Sequence, residues 1–543
     1  MDTTKKLAML LVLGLGAAAC SEGTDPERPE RTDDPDHAEA REYFDSYAMD
    51  ADQDPAAGGP AVGVADSAGE PGVGILPEPP PPPPGPEEDN TFTDVGDSAW
   101  VATEVDPQST FALDVDTGSF RVAHAMLAEG LRPPPESIRV EEWVNYFAYA
   151  DPPAEDAALG LHVETGVAPR GEDGTALVRV GVSSRVYADG DRPPANVTFV
   201  IDTSGSMDIR ERLGLVQSSL ALLVDSLNAD DTISIVTYGN DATPLLEPTP
   251  VSERGTIVRA IDELVPGGST NMEAGLRMGY AQARAAHRED GINVVVLASD
   301  GVANVGVTDG GVLAEEIAGA GEEGIHLVTV GYGMGNYNDT LMEQLADQGD
   351  GFYAYVDTFE EAEQLFVEDL TSTLTVVARD ARSQVEFDPE LVDSYRLIGY
   401  QNRALEDDQF RDDTVDAGEV GAGHQVSALY ELVPAAGVEA GTPVGEARLR
   451  WVDPDSGEAT EVNAPIAWPG ETPSDTLRLA ALVADSAELL KGNSIVSGRG
   501  FTIDDLLEEA RALTSRDVAG AEELASLLRG VEAAAPVDRG IVD

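Results

Sequence analysis

The fold is decided by one stretch of the chain, Val197-Thr198-Phe199-Val200-Ile201-Asp202-Thr203-Ser204-Gly205-Ser206-Met207. Its apolar first half is typical of a buried strand, and its polar second half places Asp202, Ser204 and Ser206 directly after that strand. In an open α/β sheet, the ligand crevice lies outside the carboxyl ends of the strands. Because Mg²⁺, Ca²⁺ and Mn²⁺ prefer oxygen ligands, this stretch predicts a site for a hard divalent cation.

Two later segments add oxygen-bearing side chains. Thr270 precedes a predicted helix, and Asp300 follows an apolar strand predicted over residues 292–298. The order Asp-x-Ser-x-Ser, then a distant Thr and a later Asp, resembles the metal-ion-dependent adhesion site (MIDAS) of the von Willebrand factor type A (VWA) domain. The resemblance covers about residues 195–375. All of its metal-site positions are filled, by Asp202, Ser204, Ser206, Thr270 and Asp300.

The resemblance implies how the cation is held. Its direct ligands are the hydroxyls of Ser204 and Ser206, joined by Thr270 in the ligand-bound state. Asp202 and Asp300 act largely through coordinated water. Since hydroxyls do not quench the charge as carboxylates do, Mg²⁺ (or alternatively Ca²⁺ or Mn²⁺) keeps an open position for a carboxylate from a protein partner. This chemistry is binding without catalysis, and the neighbouring sequence offers no general base or nucleophile.

The rest of the pattern sets the domain organisation. Strands and helices alternate over residues 195–375, which predicts a doubly wound, Rossmann-like α/β fold for the VWA domain. A module of helices then strands precedes it over 93–194, and a β-rich module ending in helices follows over 376–543. These flanking strands predict either one β-sandwich into which the VWA domain is inserted or two separate β-domains. Segments 113–120, 138–147, 395–403 and 416–424 resemble the YfbK-type bacterial VWA lipoproteins.

The first 20 residues predict a signal peptide. Lys5-Lys6 precede an apolar run over 7–15 and small residues up to Cys20, and the run is too short to span a membrane. The segment resembles a bacterial lipoprotein signal, in which Cys20 becomes the lipidated first residue. Ala17 departs from that pattern, so ordinary secretion is the alternative. The resemblance implies a cell-envelope location, and Ser21 favours the outer membrane, facing the periplasm or the surface, over the inner membrane.

Residues 21–92 predict a disordered, acidic, proline-rich tether. They hold 19 Asp and Glu against 3 Arg and end in a proline run, and such composition buries too little apolar surface to order the chain. The patch Tyr43-Phe44-Asp45-Ser46-Tyr47 is interpreted as a stray hydrophobic cluster rather than a contact motif. A turn that caps a helix is likewise preferred to a second metal site for Asp114, Asp116 and Ser119.

Composition excludes several classes of partner. The net charge of −68 opposes binding to nucleic acid or to anionic lipid, so membrane contact is expected through a lipid anchor only. A single cysteine allows no intramolecular disulfide and no zinc cluster. Neither a phosphate-binding loop nor a G-x-S-x-G elbow occurs, and no small-molecule cofactor is expected.

The leading hypothesis is therefore a non-catalytic envelope lipoprotein that binds a protein through a divalent cation. Two alternatives remain open from the sequence. One is an envelope hydrolase whose catalytic centre lies in the C-terminal module. The other is a calcium-buffering scaffold in which the acidic tether takes up the metal.

Overall fold

The structure, a computed structural model, describes residues 38–47, 96–113, 117–128, 130–155, 157–171, 174–187, 192–289, 291–300, 310–333, 339–369, 375–401, 404–412, 415, 417–454, 456–470 and 472–534. Its strands are β1 (Val101–Ala102), β2 (Gln108–Ala112), β3 (Leu159–Val167), β4 (Ala176–Ser184), β5 (Ala195–Asp202), β6 (Thr232–Tyr238), β7 (Ala242–Pro250), β8 (Ile292–Ser299), β9 (His326–Tyr332), β10 (Tyr353–Val356), β11 (Val376–Phe387), β12 (Val392–Ile398), β13 (Ala404–Leu405), β14 (Val420–Gly421), β15 (Gln425–Pro434), β16 (Pro443–Val452) and β17 (Ala459–Ala467).

The α-helices are α1 (Ala38–Ser46), α2 (Gly118–Ala128), α3 (Val140–Tyr146), α4 (Leu215–Ser226), α5 (Arg254–Asp262), α6 (Met272–Ala285), α7 (Gly310–Glu322), α8 (Asp339–Gln348), α9 (Phe359–Glu363), α10 (Asp475–Lys491), α11 (Ser494–Gly498), α12 (Ile503–Thr514) and α13 (Ala521–Ala533). Two π-helical turns (Arg210–Gly214 and Gln364–Asp369) adjoin α4 and α9. Short 3₁₀ turns lie at Pro135–Ser137, Gly205–Met207, Val251–Glu253 and Asp407–Arg411.

The middle of the chain forms a doubly wound α/β domain. Its sheet has the strand order β10-β9-β8-β5-β6-β7, parallel except for β7 at the edge. The helices α4, α5 and α9 contribute to the core on one face, and α6, α7 and α8 to the core on the other. The predicted Rossmann-like fold is confirmed. The edge strand β7 was not predicted, because its three prolines do not read as a strand; an edge is where a sheet tolerates proline.

The flanking strands build one β-sandwich with the α/β domain inserted in it. One sheet has the order β1-β12-β15-β4-β3 and the other β13-β2-β11-β16-β17, so both sheets mix strands from before and after the insertion. For example, Val180 pairs with Ala428, and Ser109 pairs with Val385. Inward-facing residues of both sheets form a single core. The alternative of two separate β-domains does not occur.

A helical layer covers the outer face of the first sheet. It consists of α2, α3, α10, α12 and α13, whose apolar residues pack against Leu177, Ile398 and Leu429 of that sheet. The final helix α13 was not predicted from the sequence. No described helix is both long enough and apolar enough to cross a bilayer.

Helix α1 corrects the prediction for the tether. Its residues 38–46 lie inside the segment expected to be disordered, yet they form a helix that docks on the α/β domain. The reason is local spacing: Ala40, Tyr43, Phe44 and Tyr47 stand at positions i, i+3, i+4 and i+7, and so share one helical face. The aromatic patch is therefore a contact motif, not a stray cluster. The average composition of residues 21–92 conceals this pattern.

Several predictions concern residues outside the described ranges. They are the signal peptide with Cys20, the remainder of the tether, and the pair Asp114 and Asp116. Ser119 is described: its Oγ donates to the Ser137 carbonyl at 2.6 Å and accepts from the Arg139 amide at 2.9 Å.

Candidate metal centre

Asp202 is the last residue of β5 and is fully buried. Its Oδ1 accepts a hydrogen bond from the Ser204 amide at 2.8 Å, and its Oδ2 accepts one from Ser299 Oγ at 3.1 Å. Burial raises the pKa of Asp202 to about 6; the bond from Ser204 opposes this shift, and the nearby charge of Asp300 adds to it. The carboxylate is thus held in place by donors but is short of positive charge.

The loop after β5 brings two hydroxyls together. Ser204 Oγ lies 3.0 Å from Ser206 Oγ, and the short 3₁₀ turn Gly205–Met207 sets this spacing. Thr203 ties the loop to the neighbouring strand β6, because both its amide and its Oγ1 donate to the Tyr238 carbonyl at 2.9 Å. The predicted Asp-x-Ser-x-Ser ligands therefore sit on a fixed loop at the carboxyl edge of the sheet.

Thr270 lies on a second loop that is bonded to the first. The Gly267 amide donates to the Thr203 carbonyl at 2.5 Å, and the Gly205 amide donates to the Gly268 carbonyl at 3.4 Å. Gly268 has φ of 101°, and a Cβ there would lie 3.1 Å from the Asn240 nitrogen, so the close approach requires glycine. Thr270 itself is 3% exposed. Backbone contacts, rather than a side-chain hydrogen bond, place it at this edge.

Asp300 reaches the site from the adjacent parallel strand. The register pairs Ile201 of β5 with Ala298 of β8, so the two strands end side by side. Asp300 is fully buried, and its Oδ2 accepts a hydrogen bond from Arg212 Nη1 at 2.8 Å. The same nitrogen donates to the Ser206 carbonyl at 2.7 Å. A buried guanidinium group thus joins Asp300 to the serine loop.

Arg212 and Ser299 lie at the site but were not predicted from the sequence. Ser299 had a usable signal, since it follows the apolar strand directly and precedes Asp300. No sequence signal pointed to Arg212. It lies in the π-helical turn Arg210–Gly214, and the sequence does not indicate that this turn is π-helical, so the direction of the side chain could not be predicted.

The donor set fits a hard cation. It offers carboxylate and hydroxyl oxygens without thiolate or imidazole, which is the chemistry of Mg²⁺, Ca²⁺ and Mn²⁺ sites. Among the described residues, no cluster of three or more His, Cys, Asp or Glu side chains could hold a metal ion, so a site here depends on the serine and threonine hydroxyls.

Comparison with known proteins gives three family matches. Residues 196–368 match the von Willebrand factor type A domain, residues 372–534 match the family described as uncharacterized protein YfbK, C-terminal, and residues 86–179 match a family described as von Willebrand factor. The uncharacterized protein YfbK of Escherichia coli K12 is 36% identical over 420 residues, covering 73% of each chain. The chain belongs to the YfbK family of VWA-domain proteins.

Other likenesses to this YfbK-family chain are more distant. The uncharacterized protein sll0103 of Synechocystis is 25% identical over 303 residues, covering 53% of this chain and 69% of the relative. Human inter-alpha-trypsin inhibitor heavy chain H3 is 30% identical over 170 residues, which is 29% of this chain and 18% of that protein. A solved structure titled von Willebrand factor type A, from Catenulispora acidiphila, has a TM-score of 0.41 at 16% identity, covering 69% of this chain and 89% of that one.

The family membership confirms the resemblance seen in the sequence. VWA domains generally mediate protein–protein interactions and commonly bind divalent cations at a MIDAS. In this YfbK-family chain, Asp202, Ser204, Ser206 and Asp300 are linked directly or through one intervening residue, and Thr270 lies on a loop bonded to theirs. Their role as metal ligands stays a prediction.

Proposed function

We propose that this protein is a cell-envelope lipoprotein that binds a protein partner through a divalent cation, without catalysing a reaction. The observation that carries the proposal is the convergence, at the carboxyl edge of β5 and β8, of two buried carboxylates with two adjacent hydroxyls. Asp202 and Asp300 supply the negative charge, and Ser204 and Ser206 supply neutral oxygens.

The predicted ligands have different roles in holding a cation. Ser204 Oγ and Ser206 Oγ, already 3.0 Å apart, are the direct ligands. Asp202 keeps its orientation through the Ser204 amide and Ser299 Oγ, so it is placed to hold coordinated water. A bound Mg²⁺, Mn²⁺ or Ca²⁺ ion would supply an electrophilic position for an outside carboxylate.

The charge of the chain supports a bridging cation. A protein with net charge −68 repels an acidic partner on average. A partner carboxylate would approach this crevice only where a metal ion reverses the local sign. We therefore expect capture of the partner to be abolished by EDTA and restored by Mg²⁺ or Mn²⁺.

The metal site is tested by titrating Mn²⁺ into the chain from residue 21 onwards and following the heat of binding. We expect one saturable site above a background of weak binding to the acidic surface. Asp202→Ala combined with Ser204→Ala should remove the saturable site and leave the background. Asp241→Ala is the matched control, since Asp241 is an exposed acid in the turn after β6. Equal binding by wild type and the site variant would refute the proposal.

Partner binding is tested by crosslinking in native envelopes. The wild-type chain should capture a protein in Mg²⁺ that the Asp202→Ala, Ser204→Ala variant does not capture, whereas Asp241→Ala should capture it normally. A partner retained equally in EDTA would rule out a bridging cation.

The envelope location is part of the proposal and has its own test. Cys20→Ser should move the protein from the detergent phase to the aqueous phase in a Triton X-114 partition, because the variant lacks the thiol to which the proposed lipid would be attached. Unchanged partitioning of the variant would exclude lipidation at Cys20 as the anchor.

A further inference from the structure

Helix α1 binds a surface made by three helices of the VWA domain. Ser218 Oγ of α4 donates to the Ala40 carbonyl at 2.9 Å, and Tyr43 Oη donates to Asp262 Oδ1 of α5 at 2.6 Å. On the third side, the Arg41 guanidinium lies 2.8 Å from Glu360 Oε1 and stacks over the Phe359 ring of α9 at 4.3 Å. The fully buried Ala40 lies at the centre of this contact.

The same helix also contacts the segment 208–214, which follows the serine loop. Tyr47 Oη donates to Asp208 Oδ1 at 2.9 Å, and the Arg210 guanidinium lies 4.7 Å from the centre of the Phe44 ring. Gly214 lies directly beneath Tyr47, since a Cβ at Gly214 would be 3.1 Å from the Tyr47 ring. The last turn of α1 therefore covers this segment from its outer side.

From its inner side, the segment 208–214 delivers Arg212 to the candidate metal centre. The guanidinium bonds to Asp300 Oδ2 and to the Ser206 carbonyl, at 2.8 and 2.7 Å. It thus brings positive charge to Asp300, one of the two buried carboxylates of the site. A metal ion held by Ser204, Ser206 and Asp300 would stand within a few ångströms of this group, where like charges repel strongly at the low effective dielectric of a buried site.

We propose that the surface formed by α4, α5, α9 and segment 208–214 is a helix-binding site whose occupant, α1, governs access of the cation. With α1 docked, segment 208–214 is held so that Arg212 takes the place of the metal ion at Asp300. Release of α1 frees the segment, lets Arg212 withdraw and raises the affinity for the cation. This inference rests on the proposed metal-binding function and names the element that regulates it.

Reciprocity gives the mechanism a second observable. If undocking α1 favours the cation, then the cation must favour undocking of α1 by the same factor. Hydrogen exchange of the amides in residues 38–47 should therefore accelerate when Mn²⁺ is added. This readout does not depend on any partner.

The test compares two tyrosines that make the same type of bond, one within α1 and one directly after it. In the chain from residue 21 onwards, Tyr47→Phe removes the bond to Asp208, and Tyr43→Phe, the matched control, removes the bond to Asp262 away from the site. We expect the Mn²⁺ dissociation constant to fall for Tyr47→Phe and to stay unchanged for Tyr43→Phe. The combined change Phe44→Ala, Tyr47→Ala, which undocks the helix, should lower it roughly tenfold, within the usual range of coupling between sites.

Arg212→Met decides whether the arginine carries the effect. This variant should bind Mn²⁺ more tightly than wild type, and adding Phe44→Ala, Tyr47→Ala should then change nothing further, because coupled sites are not additive. Equal Mn²⁺ affinity with α1 docked and undocked would overturn the proposed control of cation binding by α1 and leave the proposed metal site untouched. An undiminished effect of undocking in Arg212→Met would overturn the role of Arg212. Absence of saturable Mn²⁺ binding in every variant would overturn this inference and the proposed function together.

Discussion

The β-sandwich and the VWA domain each bury an arginine against carboxylates, but the surroundings differ. In the sandwich, Arg396 lies 3.0 Å from Glu431, its cross-strand neighbour, and 2.5 Å from Glu488 of α10. Arg499 adds a second guanidinium group, 2.6 Å from Glu431. This cluster pairs cationic groups with carboxylates one for one and fastens α10 to the sheet.

The VWA domain has the opposite balance. Among the described residues, Arg212 pairs with Asp300, the charge of Asp300 acts on the nearby Asp202, and three serine hydroxyls add further oxygen. A buried ion pair therefore does not by itself mark a binding site. A better indication is an excess of buried oxygen atoms over positively charged groups, because an added cation would compensate that excess.

The largest expected effect comes from breaking the balanced cluster. Arg396→Ala leaves Glu488 buried without its guanidinium partner and should lower the free energy of unfolding by about 3–5 kcal/mol, the usual cost of an uncompensated buried charge. Urea unfolding followed by tryptophan fluorescence measures this change. The control is Arg411→Ala, which removes an exposed pair with Glu461 and should cost less than about 1 kcal/mol. A loss below about 1 kcal/mol for Arg396→Ala would show that the cluster is not structural.

A third cluster, between α3 and the VWA domain, tests the same idea through pH. Arg139 faces both Glu142 and Glu343 there. Burial raises the pKa of Glu142 to about 8; the guanidinium of Arg139 opposes this shift, and the charges of Glu343 and Glu141 add to it. Because the folded state holds this proton more tightly than the unfolded state, stability is greatest below about pH 4.5 for this group and falls as pH rises through 8.

We therefore expect Glu142→Gln, which mimics the protonated acid, to lose less stability than wild type between pH 5 and pH 8.5. A rise of the pKa from 4.5 to about 8 corresponds to a difference of up to about 4 kcal/mol, measured from urea unfolding curves at the two pH values. Glu361→Gln, an acid on α9 outside this cluster, is the control that reports the effect of removing any one charge. Parallel pH profiles for wild type and Glu142→Gln would contradict a retained proton.

At the candidate metal centre, removing a carboxylate should raise the stability of the metal-free protein, whereas removing Arg396 from the sandwich should lower stability. Asp202→Asn keeps an oxygen for the Ser204 amide but removes one of two neighbouring buried negative charges, the other being that of Asp300. Without metal at pH 7.5, we expect the melting temperature to rise, corresponding to about 1 kcal/mol, while saturable Mn²⁺ binding is lost. Scanning calorimetry with and without Mn²⁺ measures both. A lower melting temperature without metal would mean that the negative charge is already balanced.

The smallest effect on stability is expected for a hydroxyl ligand. Ser204→Ala removes one side of a neutral hydrogen bond to Ser206 Oγ and should change the free energy of unfolding by less than about 1 kcal/mol. The affinity for Mn²⁺ should nevertheless fall at least tenfold, as isothermal titration would show. Ser252→Ala, a serine in the 3₁₀ turn before α5, is the control and should leave the affinity unchanged.

The parts of the candidate site that could be predicted from the sequence are those marked by local sequence patterns. Asp202, Ser204 and Ser206 are close in sequence, and the end of an apolar strand marks Asp300. The doubly wound order of the VWA core follows from the same alternation of strands and helices.

The missed features depend on tertiary contacts or on local departures from the average. Arg212 reaches Asp300 only because a π-helical turn sets its direction. Helix α1 is a single apolar face in a segment dominated by acidic residues and proline, and its order comes from the surface on which it docks. The sequence of β4 or of β15 alone does not indicate that these two strands pair with each other across the inserted domain.

The docking of α1 also sets how far the protein extends from a membrane. If lipid is attached at Cys20, about 17 residues separate it from α1, a contour of at most roughly 60 Å. With α1 released, about 75 residues separate Cys20 from Gly96, the first described residue of the sandwich segment. The largest possible distance between these two residues is then roughly 260 Å. With such an anchor, docking of α1 would limit how far the crevice can lie from the bilayer, and release would raise that limit about fourfold.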